Sequence, residues 1–359
     1  MSARVYGNSE FRIRGRPVGP GHPCYVIAEA GSNHNRDLST AFRLIDTAAE
    51  AGADAVKFQT YTAEGLYSTQ TPDMRYLTEQ GLVGQSESVW ELIKRVEIPW
   101  DWHSDLATHA AEVGITFFST PFEEAAVDAL EAVNVPAYKI ASYEVNHLPL
   151  IEYAARTGKP LLISTGMASL GDIERALDAA AASGCSDLML MHCAVNYPPR
   201  FDDLNLRAIT TLSSAFQIPI GWSDHTPGHT ADVAAVVLGA CAVEKHFTLS
   251  REQKGPDHPF ALEPDELKAM VEAIRETESA LGSSVKRVTD AEAEMFRLGR
   301  RSIVAARDVA AGDVITRDDI AVKRPGFGIP AHDIDQVVGR HVAHDVVRDH
   351  VLQWDDLTR

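Results

Sequence analysis

Two short apolar runs in the second half of the chain carry histidines at or near their ends. The run "IPIGWSDH" ends at His225, and "CAVEKHFT" contains His246. Because side chains alternate between the two faces of a strand, Ser223 shares a face with His225, and Glu244 shares one with His246. Two imidazoles with a carboxylate or water suit Mn²⁺, Fe²⁺, Co²⁺ or Zn²⁺. The pair therefore predicts a metal site.

Other residues compete for this role. His34, His192 and His229 are alternative ligands, and Glu244 is a further candidate. A single histidine is more often a hydrogen-bonded structural residue than a ligand, so spacing alone leaves the alternatives open.

Three lysines lie near the ends of strand-like runs: Lys57, Lys139 and Lys245. Apolar residues surround Lys57 and Lys139, and a charge in such a place is costly unless it is paired. Either an anionic ligand or a carboxylate such as Glu29 or Glu144 would supply the pairing.

Hydroxyl side chains occupy four more strand ends. They are Thr120, Ser142, Ser164 and Ser223. Two lysines and a ring of hydroxyls can bind a phosphate together with a carboxylate. Alternatively, the hydroxyls cap the helices that follow, and for Ser164 the two interpretations are equally favoured.

Eight strand-like runs alternate with helical segments along the chain. They are "CYVIAEAG", "DAVKFQT", "ITFFSTPF", "AYKIASYE", "PLLISTGM", "DLMLMHC", "IPIGWSDH" and "CAVEKHFT". This alternation indicates parallel strands with crossover helices, and eight such units predict a closed (β/α)₈ TIM barrel. A doubly wound sheet is the rival, but "EAGSNHN" after the first run is not its GxGxxG turn. Active sites of such barrels lie at the carboxyl ends of the strands.

The domain organisation follows from where this alternation stops. We expect a TIM-barrel catalytic domain over residues 1–284, with an N-terminal hairpin at 10–24, a polar linker at 285–298 and a small β-rich module at 299–359. Residues 61–93 are too long for a minimal loop and lie on the active-site side, where long loops contact substrate.

Composition excludes several classes of partner. The formal net charge of −18 argues against nucleic acid and anionic membranes, which both call for basic surfaces. No window approaches the apolar length of a membrane span, and the N-terminus has no apolar signal core. The four cysteines show no CxxC spacing. We therefore expect a cytoplasmic protein with free thiols.

At these residues the chain resembles the sialic acid (N-acetylneuraminate) synthase family, whose members condense phosphoenolpyruvate with an amino sugar. The matching motifs are "AEAGSNHN", "AVKFQT", "FFSTPF", "PAYKIAS-E", "LLISTGM", "HC---YP", "GWSDHT", "EKHFT", "GPDH" and "VKRPGFGI". They run in order over nearly the whole chain. The C-terminal module resembles the antifreeze-like SAF domain that this family carries.

The resemblance implies a role for each matching residue. Glu29 corresponds to an acid–base glutamate, and His225 and His246 to the ligands of a divalent metal, usually Mn²⁺, with Mg²⁺ or Co²⁺ as alternatives. The residues expected to hold phosphoenolpyruvate are Lys57, Thr120, Lys139, Ser142, Ser164 and Ser223. Those expected to contact the acceptor are Gln59, Glu144, Tyr197 and Asp257. Glu29, Lys57, Lys139 and His225 form the expected catalytic set.

The resemblance also implies a domain-swapped homodimer, in which Arg324 of one SAF domain reaches the partner's active site. The expected reaction joins phosphoenolpyruvate to N-acetylmannosamine, giving N-acetylneuraminate and phosphate. A 6-phosphorylated acceptor, or a 2,4-diacetamido-trideoxyhexose giving legionaminic or pseudaminic acid, is the alternative. A metal-dependent aldolase or lyase and a sugar-binding protein are the other classes.

Two features depart from the family pattern, and both bear on the acceptor. Val195 stands where a polar residue is expected near the phosphate, and Asn196 is next to it. In residues 61–93, Gln85 is the nearest polar candidate for an acceptor-binding asparagine.

Overall fold

A computed structural model describes residues 6–72 and 88–359 of the chain. The chain divides into two compact units, Met1–Gly282 and Ser283–Arg359. Each unit has a hydrophobic core of its own. Residues 285–298, predicted to be a linker, fall within the second unit.

The first unit begins with a short antiparallel hairpin inside the predicted range. Its strands are β1 (Phe11–Ile13) and β2 (Arg16–Val18). Phe11, Ile13 and Val18 are buried and belong to the same core as the barrel. Burial of these apolar side chains attaches the hairpin to the barrel.

Eight parallel strands close a barrel, which confirms the predicted (β/α)₈ TIM fold. The strands are β3 (Tyr25–Gly31), β4 (Ala55–Thr60), β5 (Thr116–Pro121), β6 (Tyr138–Ile140), β7 (Leu161–Ser164), β8 (Leu188–Cys193), β9 (Ile220–Asp224) and β10 (Ala242–His246). Each pairs with the next in sequence, and β10 pairs with β3 to close the ring.

Helices connect the strands. They are α1 (Leu38–Glu50), α2 (Ala63–Leu66), α3 (Val89–Val96), α4 (His103–Glu112), α5 (Glu124–Ala132), α6 (Leu148–Ala155), α7 (Leu170–Ala182), α8 (Ala208–Phe216), α9 (Thr230–Val237) and α10 (Pro264–Leu281). Helix α1 shows how the sequence specifies them. The Asp37 side chain caps it by accepting the Thr40 N–H, and its apolar residues at i, i+3, i+4 and i+7 are buried.

Strand β3 shows how the barrel creates unusual positions for charge. It is buried along its whole length, because the packed interior covers one face and the helices cover the other. Glu29 is the only charged residue in this strand and is fully buried. A carboxylate there is costly unless it has a partner, and the Lys57 ammonium on the neighbouring strand β4 supplies one.

The second unit is the β-rich module expected at the C-terminus. Its strands are β11 (Ser302–Ala305), β12 (Ile320–Lys323), β13 (His341–Val342) and β14 (Leu357–Thr358), paired as two antiparallel ribbons. Helices α11 (Ala293–Gly299) and α12 (Ile334–Val337) complete it. Over residues 6–72 and 88–359, no helix has the length and apolarity needed to cross a membrane.

Candidate active site

The carboxyl ends of the barrel strands bring the predicted side chains to one inner pocket of about 60 Å³. The predicted residues that line it are Glu29, Lys57, Gln59, Thr120, Lys139, Ser142, Ser164, Tyr197, Ser223, His225 and His246. Glu244 lines it as well. The face-sharing pairs expected from strand alternation therefore meet in the same space.

A wider outer pocket of about 390 Å³ shares Gln59, Tyr197 and His246 with the inner one. Glu144 and Asp257 line this outer pocket. Arg324 belongs to the second unit, where its Nε donates to the Gly299 carbonyl at 2.6 Å. Gln85 lies outside the described residues.

Two buried lysines and two buried carboxylates form the charged centre of the inner pocket. Lys57 Nζ lies 2.6 Å from Glu29 Oε2 and 3.7 Å from Glu244 Oε1. Lys139 Nζ lies 3.6 Å from the same Glu244 oxygen. Gln59 Nε2 donates to Glu29 Oε1 at 2.7 Å. The side chains of Lys57, Lys139, Glu29 and Glu244 are each at most 5% exposed to solvent, so their charges interact with little solvent screening.

These neighbours shift the pKa values in different directions. Burial raises the pKa of Glu29 to about 7, although Lys57 opposes the shift. Burial likewise favours protonation of Glu244, but Lys139 and Lys57 outweigh it and lower its pKa to about 2. Burial lowers the pKa of Lys139 below its usual value, and Glu244 only partly offsets this. Glu29 is thus the carboxyl in this centre that can take up and release a proton near neutral pH.

The strand-end hydroxyls face the pocket and do not cap helices. Lys57 Nζ donates to Thr120 Oγ1 at 2.9 Å, and Lys139 Nζ donates to Ser164 Oγ at 2.6 Å. Ser223 Oγ donates to Glu244 Oε1 at 3.2 Å. The N-cap residues of α5, α6, α7 and α9 are Glu123, His147, Ser169 and His229. The capping interpretation is therefore wrong for these four hydroxyls.

The residues expected to bind metal have the chemistry of neutral ligands. The ring centroids of His225 and His246 lie 5.2 Å apart. Burial lowers the pKa of each imidazole to about 3, so both are neutral and keep a lone pair for a metal. Within the described ranges, the buried Nδ1 atom of His246 has no hydrogen-bond partner. Oδ2 of Asp257 lies 3.8 Å from it.

In the part of the chain that the structure describes, no three His, Cys, Asp or Glu side chains converge on one metal position. A metal held here would take His225 and His246 from the protein and its remaining ligands from water or substrate. Such an open coordination sphere fits a catalytic site better than a structural one.

The Asp257 carboxylate can reach the pocket because the residue it packs against, Gly31, has no side chain. Gly31 ends β3 with φ of 50°, and a Cβ there would approach Asp257 Oδ2 to 2.6 Å. The Ser32 hydroxyl donates to the same oxygen at 3.2 Å. Glycine is thus required at this position by both its conformation and its close contact.

The competing histidines have other structural partners. His34 packs against Trp102 with ring centroids 5.9 Å apart, and its Nδ1 accepts the Arg36 N–H. His192 Nε2 donates to the Leu204 carbonyl at 2.8 Å. These contacts account for the positions of His34 and His192 without any role in binding a metal.

The outer pocket has an apolar wall that sequence reasoning missed. The wall side chains are Tyr61, Leu66, Tyr67, Val89, Leu92, Ile93, Val96, Phe122 and Tyr143. Six of these lie within residues 61–93, the long segment that was expected to contact substrate: Tyr61, Leu66, Tyr67, Val89, Leu92 and Ile93. The described lining contains no lysine or arginine.

Val195 packs directly beside the inner pocket. A Cβ at Gly166 would collide with the Val195 side chain and lie 2.8 Å from Ser142 Oγ. The Gly166 N–H donates to Ser142 Oγ at 3.0 Å. Asn196 is exposed. The valine therefore contributes packing where a polar contact was expected.

Comparison with known proteins identifies the family. The NeuB family model matches residues 44–286, and the SAF domain model matches residues 300–358. The chain belongs to the NeuB family. The sequence-based prediction of an N-acetylneuraminate synthase-type enzyme with a C-terminal SAF domain is thus confirmed.

Its relatives make different nonulosonic acids. The chain is 38% identical to N,N'-diacetyllegionaminic acid synthase of Legionella pneumophila, over 97% of this chain and 99% of that protein. It is 34% identical to pseudaminic acid synthase of Helicobacter pylori, over 94% and 98%. The structure matches N-acetylneuraminic acid synthetase of Leptospira borgpetersenii, solved with citrate, at a TM-score of 0.71 and 33% identity, covering 80% of this chain and 95% of that one.

Proposed function

We propose that this NeuB-family enzyme condenses phosphoenolpyruvate with an N-acetylated amino sugar, forming a nonulosonic acid and releasing phosphate. The observation that carries the proposal is the inner pocket itself. It combines two buried lysines, a ring of hydroxyls, a carboxyl with a pKa near 7 and two neutral imidazoles. A phosphate and a carboxylate on one small molecule would match this set of donors.

The lysines and hydroxyls would hold phosphoenolpyruvate. Lys57 and Lys139 approach one Glu244 oxygen from two sides, so their ammonium groups face a common space. Ser164 and Thr120 each already accept a hydrogen bond from one of these lysines, which leaves their hydroxyl protons free to point at an anion. Such donors, fixed in advance, stabilise charge without reorganising during the reaction.

We propose that His225 and His246 hold Mn²⁺, with Mg²⁺ or Co²⁺ as alternatives. When bound, this ion supplies Lewis-acid polarisation of the acceptor's aldehyde carbonyl. The protein's own contribution is to present two neutral imidazoles in a buried setting beside the acceptor pocket.

The reaction joins C3 of phosphoenolpyruvate to the aldehyde carbon of the open-chain sugar. The enol electron pair forms the new C–C bond, and the aldehyde oxygen takes up a proton. Water adds at C2, and the C2–O bond to phosphate breaks. We assign the proton of this water to Glu29, whose carboxyl is fully buried and hydrogen-bonded by Gln59. Orientation of the two substrates in adjoining pockets lowers the entropic part of the barrier.

The outer pocket bears on which sugar is the acceptor. Its described lining combines an apolar wall with the Glu144 and Asp257 carboxyls, which offer apolar contacts and hydrogen-bond acceptors to a sugar. A 2,4-diacetamido-trideoxyhexose would bury its methyl groups against the wall. We therefore propose this class ahead of N-acetylmannosamine, and the legionaminic acid synthase relative supports the choice.

One assay tests the reaction and its rivals. The protein is incubated with phosphoenolpyruvate, Mn²⁺ and a panel of N-acetylmannosamine, its 6-phosphate and 2,4-diacetamido-trideoxyhexoses, and both phosphate release and product mass are measured. The proposal requires sugar-dependent phosphate release and a product of condensed mass. An aldolase or lyase would consume pyruvate without releasing phosphate, and a sugar-binding protein would leave both substrates unchanged.

The half-buried Ile93 on α3 tests the apolar wall. We expect Ile93→Ala to lower kcat/KM for the trideoxy acceptor about tenfold, because the loss of a few buried methyl groups is worth about 1–3 kcal/mol. The KM for phosphoenolpyruvate and the kcat/KM for N-acetylmannosamine in the same variant are the internal controls. Equal losses for both sugars would contradict a role of the wall in choosing the acceptor.

We also propose a homodimer in which each SAF domain covers the partner's active site. The segment before β11 exposes several large apolar side chains, as expected of a surface that a second copy covers. They are Val285, Val288, Met295, Phe296 and Leu298.

The free state of all four cysteines supports a cytoplasmic setting for this dimer.

Arg324 provides the test of the dimer proposal. Arg324→Ala is expected to raise the KM for the acceptor about tenfold or more, because a hydrogen bond from a charged group contributes about 1.5–3 kcal/mol. The KM for phosphoenolpyruvate should change much less. Arg348→Ala, another exposed arginine of the same unit, is the charge-matched control. Equal acceptor KM values for the two variants would remove Arg324 from the site.

A further inference from the structure

A second buried charge cluster lies behind the barrel wall, outside the pocket. It consists of Lys245, Asp224, Asp232 and Thr226, each at most 1% exposed. Lys245 Nζ forms an ion pair with Asp224 Oδ2, donates to the Thr226 carbonyl at 2.6 Å and lies 3.6 Å from Asp232 Oδ2. Neither pocket is lined by any of these four residues.

The cluster sits next to both imidazoles in the sequence. Lys245 and Asp224 are direct neighbours in the pairing of β10 with β9. Each is followed by one histidine of the pair, His246 and His225. Because successive side chains of a strand point to opposite faces, the lysine points away from the pocket while His246 points into it.

Lys245 holds the chain on both sides of His225. On one side it contacts the Asp224 carboxylate, and on the other it contacts the Thr226 carbonyl. Asp224 and Thr226 are also joined directly. The Thr226 N–H donates to Asp224 Oδ1 at 3.0 Å, and the Thr226 hydroxyl donates to Oδ2 at 2.8 Å. The backbone around His225 is thereby fixed to the strand that carries His246.

Stability alone is a poor explanation for such a cluster. Burying a lysine with carboxylates costs desolvation energy that the ion pair often fails to recover, and apolar replacements of similar volume are often neutral or stabilising. What an apolar pair cannot provide is a directional link between two specific strand positions. A contribution of the cluster to function would therefore lie in the positions that it imposes on neighbouring residues.

We propose that Lys245 is a positioning residue that sets the spacing and orientation of His225 and His246 through Asp224 and Thr226. This inference rests on the proposed metal role of the two imidazoles. Groups that hydrogen-bond directly to metal ligands typically contribute a factor of about 10–100 to metal affinity, and Lys245 acts on the imidazoles one step further away, through Asp224 and Thr226. The affinity of the protein for Mn²⁺ should therefore depend on a lysine that touches neither metal nor substrate.

The test measures Mn²⁺ binding directly, by electron paramagnetic resonance of the free ion during titration of the full-length protein. Lys245→Met is expected to raise the Kd for Mn²⁺ about tenfold, the lower end of the range for direct partners of metal ligands. The KM for phosphoenolpyruvate should stay near that of wild type, and excess Mn²⁺ should restore much of kcat. Arg275→Met is the matched control, since it removes an ion pair with Asp54 at the opposite ends of the strands. It should lower Tm without changing the Kd for Mn²⁺.

A second variant covers the case in which Lys245→Met does not fold. Thr226→Val keeps the side-chain shape and the ion pair but removes the hydroxyl that donates to Asp224, and it should raise the Kd for Mn²⁺ by a smaller factor. A folded variant of either kind that binds Mn²⁺ as tightly as wild type overturns the positioning role. If wild type binds no Mn²⁺, or if His246→Ala binds it equally well, the proposed metal site itself is wrong and the inference falls with it.

Discussion

Lys139→Met is expected to lower kcat/KM for phosphoenolpyruvate by a factor on the order of 10²–10³, the usual cost of removing one positioned donor to a developing anion. The inner pocket holds Lys57, Lys139, Glu29 and Glu244, whose formal charges sum to zero when both carboxyls are ionised. Without the Lys139 ammonium the sum becomes −1, so a phosphate and a carboxylate would enter a pocket of like charge. Methionine keeps most of the side-chain volume, which limits the effect of altered packing.

We expect the loss in both KM and kcat, because Lys139 is proposed to hold the anion before the reaction and to stabilise the leaving phosphate during it. Steady-state phosphate release gives the KM, and equilibrium dialysis with phosphoenolpyruvate gives the Kd. The control is Lys159→Met, which removes a lysine paired with Glu131 outside the pocket. An unchanged Kd for phosphoenolpyruvate in folded Lys139→Met would remove this lysine from the anion site.

The inner pocket around Lys139 shows how much of the site can be predicted from the sequence. Lys57 and Gln59 share a strand face by alternation, as do Glu244 and His246, and consecutive parallel strands bring all their carboxyl ends to one rim. These two rules are local, so the residues that the strands contribute to the inner pocket could be predicted without knowing any loop. The same alternation turns Lys245 away from the pocket, and its proposed role depends on Asp224 at the end of β9 and on Thr226 just beyond that strand.

Strand alternation cannot orient the residues that lie beyond the strand ends. Ser142 and Glu144 were both expected in the site, but they lie in a single turn of 3₁₀-helix after β6, where side-chain directions do not follow the two-residue period. The apolar wall comes from α2 and α3, and an apolar residue such as Leu92 or Ile93 looks in sequence like an ordinary core residue. Whether it faces a core or a pocket depends on the path of the chain between the helices. The acceptor is therefore harder to predict than the chemistry.

His225→Ala and His246→Ala are each expected to abolish Mn²⁺-dependent phosphate release, with a loss of about 10³-fold or more. Lewis-acid polarisation contributes several kcal/mol of transition-state stabilisation, and each 1.4 kcal/mol is about tenfold in rate. Both rings are buried and neutral, and removal of either leaves only one of the two proposed protein ligands. The fold should persist, because both side chains point into a pocket rather than into the packed core.

The measurement pairs phosphate release with Mn²⁺ titration after exhaustive chelation. His192→Gln serves as the matched control, since His192 is a half-buried histidine at the end of β8 that donates to the Leu204 carbonyl. It should retain both Mn²⁺ binding and turnover. Full activity of His225→Ala or His246→Ala under strict chelation would contradict the metal assignment. It would leave Lys57, Lys139 and Glu29 to carry the reaction, because the ion pairs Lys57–Glu29, Lys57–Glu244 and Lys139–Glu244 involve neither imidazole.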